Sequence, residues 1–300
     1  MTFNSYYWHY LFPLELAGAV YLVAGFFAVR RQLSLRVSGL VVLGRVFVAA
    51  SLATFGAEHM TLARDLMAIV PAWMPAPLFW AYFVGFALFA AATSFVVGRY
   101  VRLAALLLGL MFFLFWILLD VPSIPATPRD RFTWALFARE LFFATGAWAL
   151  AASLFTQPHR VGPRRIIATC RILIGAILVF YAVENLLHPE FAPGVPLEQI
   201  TIAIVPFPQF WGYLAGTLLL IGGFAQLINR RARATATWLG IAIALLVPII
   251  YVPMLVVARQ PMEVTVALNY IFDTLLFAGF ILLLAEAIPT TTDAPGGAPA

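Results

Sequence analysis

Seven ionisable side chains lie within or at the ends of long apolar runs: Glu58, His59, Asp120, Glu140, Glu184, His188 and Asp273. A charge in hydrocarbon is costly, so such groups normally face a protein interior or water and find partners there. Glu140 and Asp273 lie deepest, about eight residues, or about 12 Å, inside helices that start on the same side. The seven groups fall toward one leaflet, where a polar pocket between helices would bind a small molecule, a quinone head group or protons. A second reading is that they fix helix packing through buried hydrogen bonds, or sit in wet loops. Arg139 precedes Glu140 but points about 100° away on a helix, so adjacency alone does not make it the partner.

Other chemistries find little support in the residues. Cys170 is the single cysteine, which excludes an internal disulfide, a dithiol pair and an iron–sulfur site built from this chain alone. As a helix residue it reads as inert. A bis-histidine haem needs two imidazoles at matched depth on facing helices. His59 and His188 have similar depth, but the internal repeat described below pairs His59 with Asn185, so no haem or metal is expected. No phosphate loop, dinucleotide fingerprint, zinc signature or Ser/His/Asp constellation is present.

The elements that must position these groups are membrane helices. The chain is 63% hydrophobic and 10% charged with a mean hydropathy of +0.96, far beyond what a soluble core absorbs. Apolar runs long enough to cross about 30 Å of hydrocarbon fall at roughly 12–29, 38–57, 77–97, 103–120, 133–155, 170–187, 208–228, 235–257 and 265–287. The fold class expected is an all-α polytopic membrane protein with nine spans. The first span is the weakest, because Glu15 and two glycines interrupt it. The N-terminus lacks a basic region and a small-residue cleavage site, so the first span is expected to remain.

The 18 basic residues are all arginine. Thirteen cluster in or beside one set of loops (Arg30, Arg31, Arg36, Arg45, Arg99, Arg102, Arg160, Arg164, Arg165, Arg171, Arg230, Arg231, Arg233) against five on the other side. The positive-inside rule makes the first set cytoplasmic, with the N-terminus outside and the C-terminus inside. The basic charge therefore reports membrane orientation rather than nucleic-acid binding. The opposite loops are rich in proline and aromatics, and Trp73, Trp80, Trp134 and Trp211 suit an interfacial belt. Arg45 and Arg171, 13 residues before Glu58 and Glu184, are about 20 Å from them along the axis. Their expected role is lipid-phosphate anchoring or a packing contact.

An internal repeat organises the chain. LGRVFVAASLATFGAEHM (43–60) aligns with TCRILIGAILVFYAVENL (169–186), placing Arg45 on Arg171 and Glu58 on Glu184 at an offset of 126. PLFWAYFVG (77–85) aligns with PQFWGYLAG (208–216) at 131, placing Trp80 on Trp211. RELFFATGA (139–147) aligns with FDTLLFAGF (272–280) at 133, placing Glu140 on Asp273. The second to fifth spans thus match the sixth to ninth. Each unit has an even number of spans, so the repeats are parallel rather than inverted. The expected organisation is an N-terminal segment with the first span (1–37), a four-helix repeat (38–156), a cytoplasmic linker (157–168), a second four-helix repeat (169–287) and a disordered tail (288–300). Each repeat is expected to form its own four-helix bundle.

The unit resembles the DoxX/DoxD-like membrane proteins. The resemblance rests on the Gly-Arg or Cys-Arg start of its first helix, the polar ends GAEH and AVENLLHP, the Pro-aromatic start of its second helix, and the turns GRYVRLAA and NRRARATA. It covers about residues 40–287, twice. Members of that family are usually single four-helix units, so a fused pair with an extra helix departs from the pattern. The absence of lysine beside abundant alanine and arginine suits a bacterial coding bias, so a bacterial inner membrane is expected. The resemblance implies a subunit of a membrane redox assembly that binds a small hydrophobic or quinone-type ligand in an outward-facing pocket, with a quinone as possible cofactor and a membrane or soluble redox protein as partner. The alternatives are a small-solute transporter and a structural or assembly protein without catalysis.

Overall fold

The computed structural model describes residues 3–155, 161–194 and 204–289. Among them nine helices are long and apolar enough to cross a membrane: α1 (Tyr7–Val29), α2 (Val37–Thr61), α3 (Pro77–Val97), α4 (Val101–Ala126), α5 (Arg131–Ser153), α6 (Val161–Leu187), α7 (Pro208–Leu227), α8 (Ala232–Val257) and α9 (Pro261–Ala287). No strand occurs among the described residues. The chain is an all-α polytopic membrane protein. Helix is what hydrocarbon demands, because every backbone N–H and C=O is then satisfied within its own segment.

Helix ends follow local chemistry. Proline opens α3, α7 and α9, where its missing N–H costs nothing. The Asp130 side chain accepts from the Thr133 hydroxyl and from the amides of Thr133 and Phe132 at the start of α5, and these bonds, the hydroxyl's first, hold its carboxyl below the usual carboxylate range. Gln260 and Glu263 form a capping box at the start of α9. α6 starts at Val161, so 161–168 is its first two turns rather than linker. The tail from 290 onward and residues 156–160, which include Arg160, lie outside the described residues.

The two repeats agree in fine detail. Ala76 and Phe207, at equivalent places before α3 and α7, both take left-handed backbone conformations, φ 55° and 53°, unusual for residues with a side chain. The indoles of Trp80 and Trp211 donate to Pro75 and Pro206 carbonyls at 2.9 and 3.1 Å. Each unit also carries one π-turn, Trp116–Asp120 in α4 and Val247–Tyr251 in α8. Pro122 and Pro253 follow these turns. Proline cannot bond four residues back and its ring crowds that carbonyl; a widened turn relieves the clash. Gly85 and Gly216 meet α2 and α6 at the same height, where an added Cβ would lie 3.2 Å from the Gly56 carbonyl and 3.1 Å from that of Ala182.

The repeats do not form separate bundles. α2 packs extensively on α9 and α5 on α6, whereas α2 with α5 and α6 with α9 make little contact. The α2–α3 pair is thus completed by α8–α9 of the other repeat, and α4–α5 by α6–α7. Under the repeat equivalence the α2–α9 contact maps onto α6–α5, and the α5–α9 contact maps onto itself. α5 and α9 therefore lie together at the centre of the pseudo-symmetric arrangement. There Phe142 stacks on Phe277 at 4.1 Å between ring centres, and Phe143 lies 5.3 Å from Phe280. α1 has no counterpart; it packs chiefly on α2.

Arg45 is fixed within the protein. Its guanidinium forms an ion pair with Glu286 at the end of α9, including Nε to Oε2 at 3.2 Å. The partly buried pair ties α2 to α9 across the repeats. Arg45→Ala and Glu286→Ala should each destabilise, and the double variant should cost less than their sum. Melting in mild detergent should give a coupling of about 0.5–3 kcal/mol; strictly additive losses would contradict a direct interaction.

Candidate functional site

The central contact of α5 and α9 holds the two deepest acids. Glu140 is nine residues into α5, and Asp273 is twelve residues into α9, so about 13 and 18 Å from their helix starts. Both are buried. Arg139 joins them. Its Nη1 donates to Asp273 Oδ2 at 2.8 Å, while Nη2 and Nε donate to Glu140 Oε1 at 2.9 and 3.2 Å. Adjacent positions diverge on a helix, but the long guanidinium fork folds back to its neighbour and still reaches across to α9. The sequence places Phe272 at the position equivalent to Arg139, so one cation serves both acids of the repeat.

Three further polar groups surround this triad. Asp120, brought inward by the π-turn of α4, is buried and within electrostatic reach of Glu140 and Arg139. Glu58, near the end of α2, is within reach of Asp273 and Arg139. Tyr181 on α6 is fully buried, donates to the Ala135 carbonyl at 2.6 Å, and is within reach of Arg139 and the two bridged acids. Five elements, α2, α4, α5, α6 and α9, therefore converge on one guanidinium. Four carboxyls face a single fixed cation.

The hydrogen bonding of the cluster is incomplete. Glu140 Oε2 and Asp120 Oδ2 are buried with no hydrogen-bond partner among the described residues. No side-chain hydrogen bond among the described residues reaches the Glu58 carboxylate, either. Unpaired buried polar groups are expensive. The open positions are acceptors. The arrangement can hold protons, hydroxyl groups or a small cation. The Arg139 side chain keeps 21% of its surface uncovered by the protein.

The other predicted residues lie apart from this cluster. Glu184 pairs with Arg131 at the start of α5, with Nε to Oε2 at 2.7 Å. It therefore belongs to a rim contact, although it is the repeat equivalent of Glu58. Val264 occupies the place of Arg131 in the second repeat, which leaves Glu58 without that partner. His188 contacts Glu190 at 3.4 Å, and both side chains are well exposed. His59 Nδ1 lies 2.8 Å from the Phe55 carbonyl on its own helix. Trp80 and Trp211 are bonded to their local backbone, as described above. A separate cavity of about 280 Å³, lined by Tyr7, Glu15, Leu255, Ala258 and Val264, shares no residue with the cluster.

Arg139 and Tyr181 are the functional groups that the acidic pattern alone misses. A signal exists for both. In the repeat alignment they stand opposite Phe272 and Phe55, so each is a polar group present in one copy only. No known protein-family profile, curated protein or solved structure matches the chain.

Proposed function

We propose that this protein binds a small apolar ligand bearing hydroxyl groups, of the quinol type, at the Arg139 cluster. The observation that carries the reading is the pair of buried, donor-less carboxylate oxygens, Asp120 Oδ2 and Glu140 Oε2, beside a fixed guanidinium. Such oxygens suit O–H donors, and the carboxyls can take up the protons that a hydroxyl releases. The reading agrees with the DoxX/DoxD-like resemblance, which adds a membrane redox assembly and a redox partner protein. The proposed setting is a bacterial inner membrane. The arginine-rich loops are cytoplasmic, the N-terminus is outside and the cluster lies in the outer half.

The test is quinol binding to the purified protein in nanodiscs, read by quenching of tryptophan fluorescence with a short-chain ubiquinol. Glu140→Gln and Asp120→Asn should each weaken binding about tenfold, equivalent to about 1.4 kcal/mol, while melting near the wild-type temperature. Saturable binding that is unchanged in both variants, or no saturable binding to the wild type, would sink the proposal.

One observation favours a second reading, proton-linked transport. The π-turns of α4 and α8 interrupt two helices at equivalent heights, and such turns often occur at functional sites. Counterflow uptake into proteoliposomes that is abolished by Glu140→Gln would select transport over ligand binding alone.

A further inference from the structure

The arginine-rich ends of α5 and α9 are built to one plan but differ in charge. At α9 the plan is complete. Arg45 from α2 is paired with Glu286, and Arg233 from α8 donates to the Ile288 carbonyl at 2.8 Å. At α5 the equivalent arginines are Arg171 from α6 and Arg102 from α4, and the equivalent targets are Ser153 and Phe155. Arg102 keeps its place, with Cζ 3.6 Å from the centre of the Phe155 ring. Arg171, however, stands where Arg45 does, and the position equivalent to the carboxylate that Arg45 uses holds a serine. The Ser153 hydroxyl is turned to the Leu150 carbonyl at 2.8 Å.

Two cationic groups are left without acceptors there. Arg171 is only 9% exposed, and its Nη1 is buried with no hydrogen-bond partner among the described residues; Arg102 Nε is likewise buried and unpartnered. Among the described residues Glu286 is the acid at this face, and Arg45 occupies it. A guanidinium buried without an anion is strongly unfavourable, and the planar fork of arginine matches phosphate oxygens. We infer that the arginine-rich end of α5 is an anion site, in which a phosphate group takes the place that the Glu286 carboxylate fills in the other repeat and is held by Arg171 and Arg102. The phosphate is either a lipid headgroup or a free ion. This site is independent of the Arg139 cluster, on the opposite side of the membrane.

The informative variant is Ser153→Glu, which restores the carboxylate found at Glu286. Wild type, Arg171→Gln and Ser153→Glu would be placed in nanodiscs of phosphatidylcholine alone or with phosphatidylglycerol. Melting would be measured with and without inorganic phosphate, and retained lipid counted by native mass spectrometry. The wild type should melt higher with the anion. A shift with phosphatidylglycerol and one retained copy identifies a headgroup; a shift with inorganic phosphate in neutral discs identifies a free ion. In both cases Ser153→Glu should fold, keep or raise its stability in neutral lipid, and lose at least tenfold of the anion retention. A wild type indifferent to both anions, or a Ser153→Glu protein that responds as the wild type does, would overturn the assignment. If Arg171→Gln fails to fold, Ser153→Glu decides alone.

Discussion

Replacing Arg139 with methionine is expected to cost about 3–5 kcal/mol, the range seen when one partner of a buried ion pair is removed. The side chain is the only cation among the described residues within the cluster, and it holds Glu140 and Asp273 from two different helices. Methionine keeps much of the volume and removes every hydrogen bond. Two buried carboxyls then face each other across the α5–α9 contact, with Glu58 and Asp120 nearby. The loss should appear as a large fall in detergent melting temperature or in recovered monodisperse protein. Adding Glu140→Gln and Asp273→Asn to Arg139→Met should recover a substantial part of it, because the neutral amides no longer need the cation. If the triple variant is as unstable as the single one, packing of the guanidinium stem and not its charge is what matters.

The second large effect is expected at Gly279. A Cβ there would lie 2.7 Å from Val48 Cγ2, 3.0 Å from the Val48 amide and 3.1 Å from the Gly44 carbonyl. Gly44 meets α9 reciprocally, its added Cβ falling 3.0 Å from both the Gly279 carbonyl and the Leu283 amide. Backbone atoms cannot step aside as a flexible side chain would. Small residues are what allow two membrane helices to approach this closely. Gly279→Val should therefore separate α2 from α9 and cost about 1–3 kcal/mol, the usual penalty for overpacking. Gly98→Ala is a useful comparison: its added Cβ meets nothing within 4 Å, but its φ is 73°, so it tests local backbone strain rather than helix contact. A Gly279→Val protein that melts with the wild type would show that this contact can relax.

The class of the fold was legible in hydropathy because a span must be long and apolar, and nine such runs stand clear of arginine-rich or proline-rich loops. Helix ends were less legible. The α6 run reads from 170, yet the helix begins at Val161 and carries Arg164 and Arg165, because a helix continues into water where hydrocarbon no longer imposes an apolar sequence. Glu140 and Asp273 were readable as a matched pair, since the repeat aligns them and a lone carboxyl at that depth is costly. Their joint use of Arg139 was not, because side-chain reach depends on the distance between helices. Likewise, the repeat says which helices are equivalent but not which ones touch. The exchange of α5 and α9 between units, and with it the meeting of Glu58, Asp120 and Tyr181 at one guanidinium, depends on packing between segments far apart in the chain. Glu184 shows the same limit from the other side. Its equivalence to Glu58 suggested a shared role, and one added arginine, Arg131, drew it to the rim.

The exchanged pairing of helices carries an evolutionary consequence. A single four-helix ancestor with these contacts would have left the surfaces of its first and last helices bare, to be covered only by another copy of itself. Such a precursor would require a second copy of itself, and duplication with fusion would join the two copies in one polypeptide. Fusion then released each half from the requirement to be identical. Arg139 opposite Phe272, Glu286 opposite Ser153 and the solitary α1 on one flank are changes that a symmetric dimer could not have made on one side alone. The two halves accordingly make unequal contributions to one centre, the first supplying Glu58, Asp120, Arg139 and Glu140 and the second supplying Tyr181 and Asp273.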